Sequence, residues 1–329
     1  DFCLSRGLGD VYKRQLHNVP YKWFQVFPVF LYPISLVLLA FVTLMGIITG
    51  DRVNGAARWM TFMGLQFQPS ELAKMAVIIA VSFILSKRQD EEGANPKAFK
   101  YIMILTGLVL LLIAPENLST AMLLFGVVFM MMFIGRVAAK KLLLLAGGLV
   151  LIVALGVGTV VAIPAKTLHN TPGLHRLETW QNRIKGFFDK DEVPAAKFDI
   201  DKDAQIAHAR IAIATSHVVG KGPGNSIQRD FLSQAFSDFI FAIVIEEMGL
   251  IGGIFVVFLY LCLLMRAGRI AQKCERTFPA FLVMGIALLL VSQAILNMMV
   301  AVGLFPVTGQ PLPLVSKGGT STVSYTHLT

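Results

Sequence analysis

The sequence predicts an all-α, polytopic membrane protein: a helical bundle with about seven transmembrane spans and one long outward loop. Three observations predict it. Of the 329 residues, 55% are hydrophobic and only 15% are charged, and the mean hydropathy is +0.68. A soluble domain of this length cannot hide so much apolar surface. Apolar runs recur at about 24–46, 71–86, 101–114, 118–135, 142–163, 239–265 and 279–304, several of them near the ~20 residues that a spanning helix needs. Basic residues crowd every second connection between these runs, as membrane topology requires.

Taken in order, Lys22 precedes the first run, and Lys87, Arg88, Lys97 and Lys100 separate the second from the third. Arg136, Lys140 and Lys141 follow the fourth run; Arg266, Arg269, Lys273 and Arg276 follow the sixth. These connections are expected on the cytoplasmic side, which sends the alternate ones, including 164–238, outward. The runs at 71–86 and 101–114 are short, so their helices must borrow flanking residues or sit within the bundle. The net charge of +9 is thereby accounted for by topology, and nucleic acid is excluded as a partner. Cys3, Cys262 and Cys274 show neither metal nor disulfide spacing and read as inert. Residues 1–15 carry no signal-peptide pattern. They and residues 324–329 read as non-native tails around one integral membrane domain, 16–323.

The outward connections hold the unusual residues. Between the first two runs, Trp59, Phe62 and Phe67 suit a segment lying in the membrane interface. Pro69-Ser70-Glu71 is a helix-start signature with its acid at the favoured end. Glu71 and Lys74 are three residues apart and share a helix face. They form either a local ion pair or, with Arg58, a cationic grip in which Lys74 and Arg58 hold an anionic headgroup. Pro115 ends the third run, and Asn117 or Ser119 can cap the helix that follows. Glu116 is either the first-turn acid of that helix or part of a polar cavity.

In the long loop, 175–185 reads as an amphipathic surface helix and 189–203 as an acidic, solvent-exposed stretch without EF-hand spacing. Residues 205–219 read as a helix half buried in the interface, with His208 and His217 as polar surface histidines. The loop closes on GKGPGNSIQ, and Asp238 stands at the mouth of an almost entirely apolar helix that carries Glu246 and Glu247. Carboxylates beside or inside a membrane helix are costly in lipid and are functional candidates. Glu246 and Glu247 cannot both face lipid. At least one is expected to face the bundle as a structural polar group, bonded to a buried Arg, Asn or water, with Gly249, Gly252 and Gly253 allowing close helix contact. The last run ends in PVTGQPLPLVSKGG, where Pro306, Pro311, Pro313, Gly309, Gly318 and Gly319 make a rigid non-helical segment. Such backbone beside a membrane helix must be sheltered or line a cavity.

Four motifs in order, NGAARW with QPSELAK, PENLSTA, NSIQ…SDFIFAIVIEEMG and PVTGQPLPLVSKGG, resemble the SEDS family of peptidoglycan glycosyltransferases. The GNSIQ stretch is more similar to the division type (FtsW-like) than to the elongation type (RodA-like). The resemblance covers about 23–323 and implies a ten-span fold of which this chain carries the third to ninth spans. It places the family's essential acid on Asp238. The substrate-binding set it implies is Arg58, Glu71, Lys74, Lys221, Asn225, Gln228, Ser316, Gly318 and Gly319. Departures from the family pattern fall at Glu116, where Asp is usual, at Lys317 for Tyr, and at Gln310 for an apolar residue.

The activity implied is polymerisation of lipid II with release of undecaprenyl pyrophosphate, in septal cell-wall synthesis. Asp238 would act as general base on the acceptor sugar's 4-hydroxyl, and Arg58 and Lys74 would neutralise the leaving pyrophosphate. A divalent cation (Mg or Mn) can assist such chemistry, although no ligand set is legible. The implied partners are lipid II, a class B penicillin-binding transpeptidase and other divisome membrane proteins. The implied location is the bacterial inner membrane, with an extracytoplasmic active site. Two other classes stay open: a lipid II flippase, and a non-catalytic scaffold for a division transpeptidase.

Overall fold

The computed structural model describes residues 21–48, 60–62, 65–90, 93–115, 117–162, 203–228 and 238–316. The helices are α1 (Tyr21–Phe24), α2 (Phe27–Ile48), α3 (Pro69–Lys87), α4 (Pro96–Ile113), α5 (Leu118–Ile134), α6 (Ala139–Ala162), α7 (Asp203–Thr215), α8 (Ile240–Lys273) and α9 (Thr277–Ala301). Two small hairpins join them: β1 (Met60–Phe62) with β2 (Leu65–Phe67), and β3 (Gln89–Asp90) with β4 (Gly93–Ala94), both antiparallel. Six described helices are long and apolar enough to cross a membrane, and α5 is a shorter apolar helix of 17 residues. These seven coincide with the seven runs of the sequence.

The short second and third runs do borrow neighbours: α3 starts at Pro69 and α4 at Pro96, each with proline in its first turn, where the missing N–H costs nothing. Asn95 caps α4 through the Lys97 amide (3.0 Å), and Asn117 caps α5 through the Thr120 amide (3.3 Å). Part of the interface segment expected before α3 is the β1–β2 hairpin.

The chain divides into two compact units, one of residues 1–147, 263–292 and 319–329, the other of 148–262 and 293–318. In the first unit α3 is buried nearly all round, from Ala73 through Ser82, which is the signature of a central helix. It packs against α2, α4 and α5. On α9, a Cβ at Gly285 would come within 2.7 Å of Ile78 and 2.8 Å of Met131, so α9 lies backbone-close to α3 and α5 there. The basic turns meet at one end of this unit. The Ala94 amide donates to the Arg136 carbonyl (3.2 Å) and Lys141 Nζ to the Pro96 carbonyl (3.5 Å). Phe83 and Phe278 meet edge to face, with ring centroids 6.4 Å apart.

In the second unit, Ala209, Ala212 and Ile213 of α7 pack against Phe239, Ala242 and Ile243, with Val307 beside them. Helix α7 ends at Thr215, and 216–219 form a turn rather than continuing the helix expected to Val219. Helix α8 is broken at Gly249, whose φ of 70° and ψ of −170° are non-helical. A continuous helix would bond the amides of Leu250 and Ile251 to the carbonyls of Glu246 and Glu247. Instead those amides donate to His217 and Val218 (3.3 and 3.4 Å), while the two freed carbonyls accept from Lys221 and Gly222 (3.0 and 2.8 Å). One loop thus satisfies all four backbone groups that the break exposes, which is the condition for irregular backbone in a membrane protein. A Cβ at Gly249 would overlap the Val218 carbonyl, so glycine is required there for space as well as for φ. The close contact expected of this glycine is with a loop rather than with a helix.

Candidate active site

The same loop converges on one carboxylate. Glu246 is fully buried, and its Oε1 accepts from Lys221 Nζ (2.7 Å) and the Ile227 amide (3.3 Å). Its Oε2 accepts from Ser226 Oγ (2.5 Å) and the Gln228 amide (3.3 Å). Gly220, Gly222 and Gly224 all have positive φ (79°, 95° and 83°), which lets the chain curl tightly enough to present these donors. Glu246 is therefore the inward-facing, structural acid of the pair. Its partners are Lys221, Ser226 and backbone amides, in place of the buried Arg, Asn or water expected. Glu247 is half-buried, and the Gly222 bond uses its carbonyl.

Asp238 lies two residues before α8, half-buried. The side-chain amide of Asn297, on α9 and almost wholly buried, donates 2.8 Å to the Asp238 carbonyl and 2.8 Å to the Gln310 carbonyl. Between Thr308 and Gln310, Gly309 (φ 68°) turns its missing side chain toward the acid: a Cβ there would stand 3.7 Å from Asp238 Oδ2. The closing segment 302–316 is non-helical as expected. Gln293 Nε2 holds it through the Pro311 carbonyl (3.2 Å), and the Tyr260 hydroxyl through the Pro313 carbonyl. Ser316 Oγ closes its last turn by accepting from the Leu312 amide (2.7 Å).

Of the residues singled out from sequence, the second unit holds Lys221, Asn225, Gln228 and Glu246 in one loop cluster, and Asp238 and Ser316 apart from it. Three of those expected to meet substrate are engaged internally: Lys221 with Glu246, Ser316 with Leu312, and Gln228 with His208, whose Nδ1 is 2.6 Å from Gln228 Oε1. His208 is accordingly a half-buried partner of the loop, whereas His217 is exposed. Asn225 is exposed and donates to the Lys221 carbonyl (3.2 Å). In the first unit, Glu71 and Lys74 form the local ion pair at 2.9 Å, with side chains only 6% and 0% exposed. Glu71 Oε2 and the neighbouring Ser70 Oγ are buried without a hydrogen-bond partner among the described residues. Arg58, Glu116, Lys317, Gly318 and Gly319, with Trp59, the 175–185 helix and both tails, lie outside the described residues. Among the described residues no three His, Cys, Asp or Glu side chains come together as a metal-ligand set. Glu246 already receives four donors. Residues that sequence reasoning passed over are Ser226, Tyr260, Gln293 and Asn297. A signal existed for the last two: they are amides four residues apart in an otherwise apolar helix, hence on one face.

The profile of the FtsW/RodA/SpoVE family of cell cycle proteins matches residues 5–329. The chain belongs to this family. It is 34% identical over 306 residues to the probable peptidoglycan glycosyltransferase FtsW of Trichlorobacter lovleyi, covering 92% of this chain and 74% of that one. To the FtsW of a Geobacter species it is 35% identical over 309 residues, covering 93% and 77%. Among solved structures it is similar to a chain of a peptidoglycan synthase complex that coordinates polymerization and crosslinking, with TM-score 0.74, 26% identity and coverage of 99% and 85%. The fold is also that of the rod shape determining protein RodA of Thermus thermophilus, with TM-score 0.64, 24% identity and coverage of 99% and 82%. A multi-pass membrane member of this family, the division-type SEDS protein, is what the four motifs implied.

Proposed function

We propose that this peptidoglycan glycosyltransferase polymerises lipid II with Asp238 as general base, in septal wall synthesis. The carboxylate takes the proton from the acceptor sugar's 4-hydroxyl. That oxygen bonds to the donor's anomeric carbon, and the carbon's bond to undecaprenyl pyrophosphate breaks. Charge developing on the departing pyrophosphate is best met by preplaced cations, the role that the family resemblance gives to Arg58 and Lys74. The observation that carries the reading is Asp238 itself. It is a half-buried acid at the mouth of a membrane helix, with its main-chain carbonyl anchored and Gly309 facing its Oδ2. It stands at the opposite end of α8 from Arg266, Arg269 and Lys273. Since basic residues mark the cytoplasmic side, this favours an outward-facing site in the bacterial inner membrane. The relation to a synthase complex favours a class B penicillin-binding transpeptidase as partner, and the identity to FtsW proteins favours the divisome.

The test is polymerisation of labelled lipid II by the purified protein with its transpeptidase, glycan strands being read on a gel. Asp238→Asn should lower turnover on the order of 10²–10⁴-fold while remaining folded. Equal polymer from both proteins would remove Asp238 from the chemistry. No polymer from the wild type, with lipid II crossing vesicle membranes, would point to the flippase.

A further inference from the structure

Asn297 joins the acid's main chain to the closing segment. Both of its amide hydrogens are spent on carbonyls, those of Asp238 and Gln310, at 2.8 Å each. Because both partners only accept, the group facing them is the nitrogen. Serine, threonine or a carboxylic acid in its place can donate at most one hydrogen bond. Asn297 is only 1% exposed, so water cannot easily stand in for the amide. The two anchored carbonyls bracket the geometry of the acid. One belongs to Asp238, and the other to Gln310, next to the Gly309 that faces Asp238 Oδ2.

We propose that Asn297 is a positioning residue for the general base. By gripping both carbonyls it fixes where the Asp238 carboxylate stands relative to Gly309 and so relative to the attacking hydroxyl. The proposal rests on the reading of Asp238 as base. Displacing a reacting group by ~1 Å costs on the order of 100-fold in rate, and the loss falls on turnover more than on substrate binding. Gln293 supplies an internal control. It lies one helical turn earlier on α9 and bonds the same closing segment through a different carbonyl, that of Pro311 (3.2 Å).

The experiment measures steady-state polymerisation of labelled lipid II, with thermal unfolding in the same detergent, for four variants. Asn297→Leu keeps the volume and removes both bonds; Gln293→Met does the same to the control. The expected result is a kcat for Asn297→Leu lower on the order of 100-fold with KM little changed, and a much smaller fall in turnover for Gln293→Met at a similar loss of stability. Asn297→Leu added to Asp238→Asn should bring no further loss. Parallel falls in turnover and stability for both α9 variants would make Asn297 merely structural and overturn the proposal, as would wild-type turnover in Asn297→Leu. If the leucine variant does not fold, Asn297→Asp, with the same shape and at most one donor, is read by the same criteria. Full activity in Asp238→Asn would instead sink the base assignment, a different failure from either of these.

Discussion

Two ion pairs with buried carboxylates, one in each unit, are built on opposite principles. Glu71 and Lys74 sit three residues apart on α3, and helix geometry alone brings them to 2.9 Å. Lys221 and Glu246 are 25 residues apart and meet at 2.7 Å only because a glycine-rich loop folds onto the break in α8. In the local pair, Glu71 Oε2 finds no hydrogen-bond partner among the described residues. The distant pair is one part of a set in which a hydroxyl and two backbone amides also converge on the carboxylate. A local pair can be removed as a unit, whereas a long-range cluster cannot, because its neutral donors stay behind.

The largest expected effect is that of Glu246→Ala. It leaves Lys221, Ser226 and two amides without their acceptor and loosens the loop that seals the α8 break. A loss at the upper end of ~3–5 kcal/mol is expected by chemical unfolding in detergent. Lys74→Met comes next, at about 3 kcal/mol, since it strands a buried carboxylate. The comparison sharpens in the double variants. Glu71→Gln with Lys74→Met should regain most of that loss, ending within ~1 kcal/mol of wild type, because replacing a buried pair outright is often close to neutral. Glu246→Ala with Lys221→Met should stay ~2–3 kcal/mol down, because the Ile227 and Gln228 amides lose their acceptor. Equal recovery in the two double-mutant cycles would erase the distinction. The smallest effect, ~1 kcal/mol, is expected for Ser226→Ala, which removes one of four donors to Glu246.

These pairs also mark how far the sequence could be read. The spans were legible because each needs only a run of apolar residues. The caps Asn95 and Asn117 and the Glu71–Lys74 pair act over one helical turn. That one of Glu246 and Glu247 must turn inward followed from the cost of carboxylates in lipid. Its partners did not, since nothing local ties position 246 to 221 or 226. Lys221 read as a cation for substrate because a lysine in a glycine loop looks the same whether it meets a phosphate or an acid. Ser316, in the substrate-binding set that the resemblance implies, closes its own turn through its hydroxyl. The 205–219 stretch read as one helix because nothing in its composition marks the turn at 216–219, which the backbone exchange with α8 imposes.

The sequence by itself determined the membrane class, the seven helices, the basic end and, through four motifs, the family. All of these rest on composition, on short-range periodicity or on residues recognisable where they stand. Only the tertiary structure decided that Gly249 breaks α8 and that one loop repairs the break. It alone put Glu246 at the centre of that loop and joined Asp238 to the closing segment through Asn297. Those contacts span 13 to 59 residues. Such contacts form only when distant segments have been brought together, and no local spacing in the chain encodes which pairs will meet.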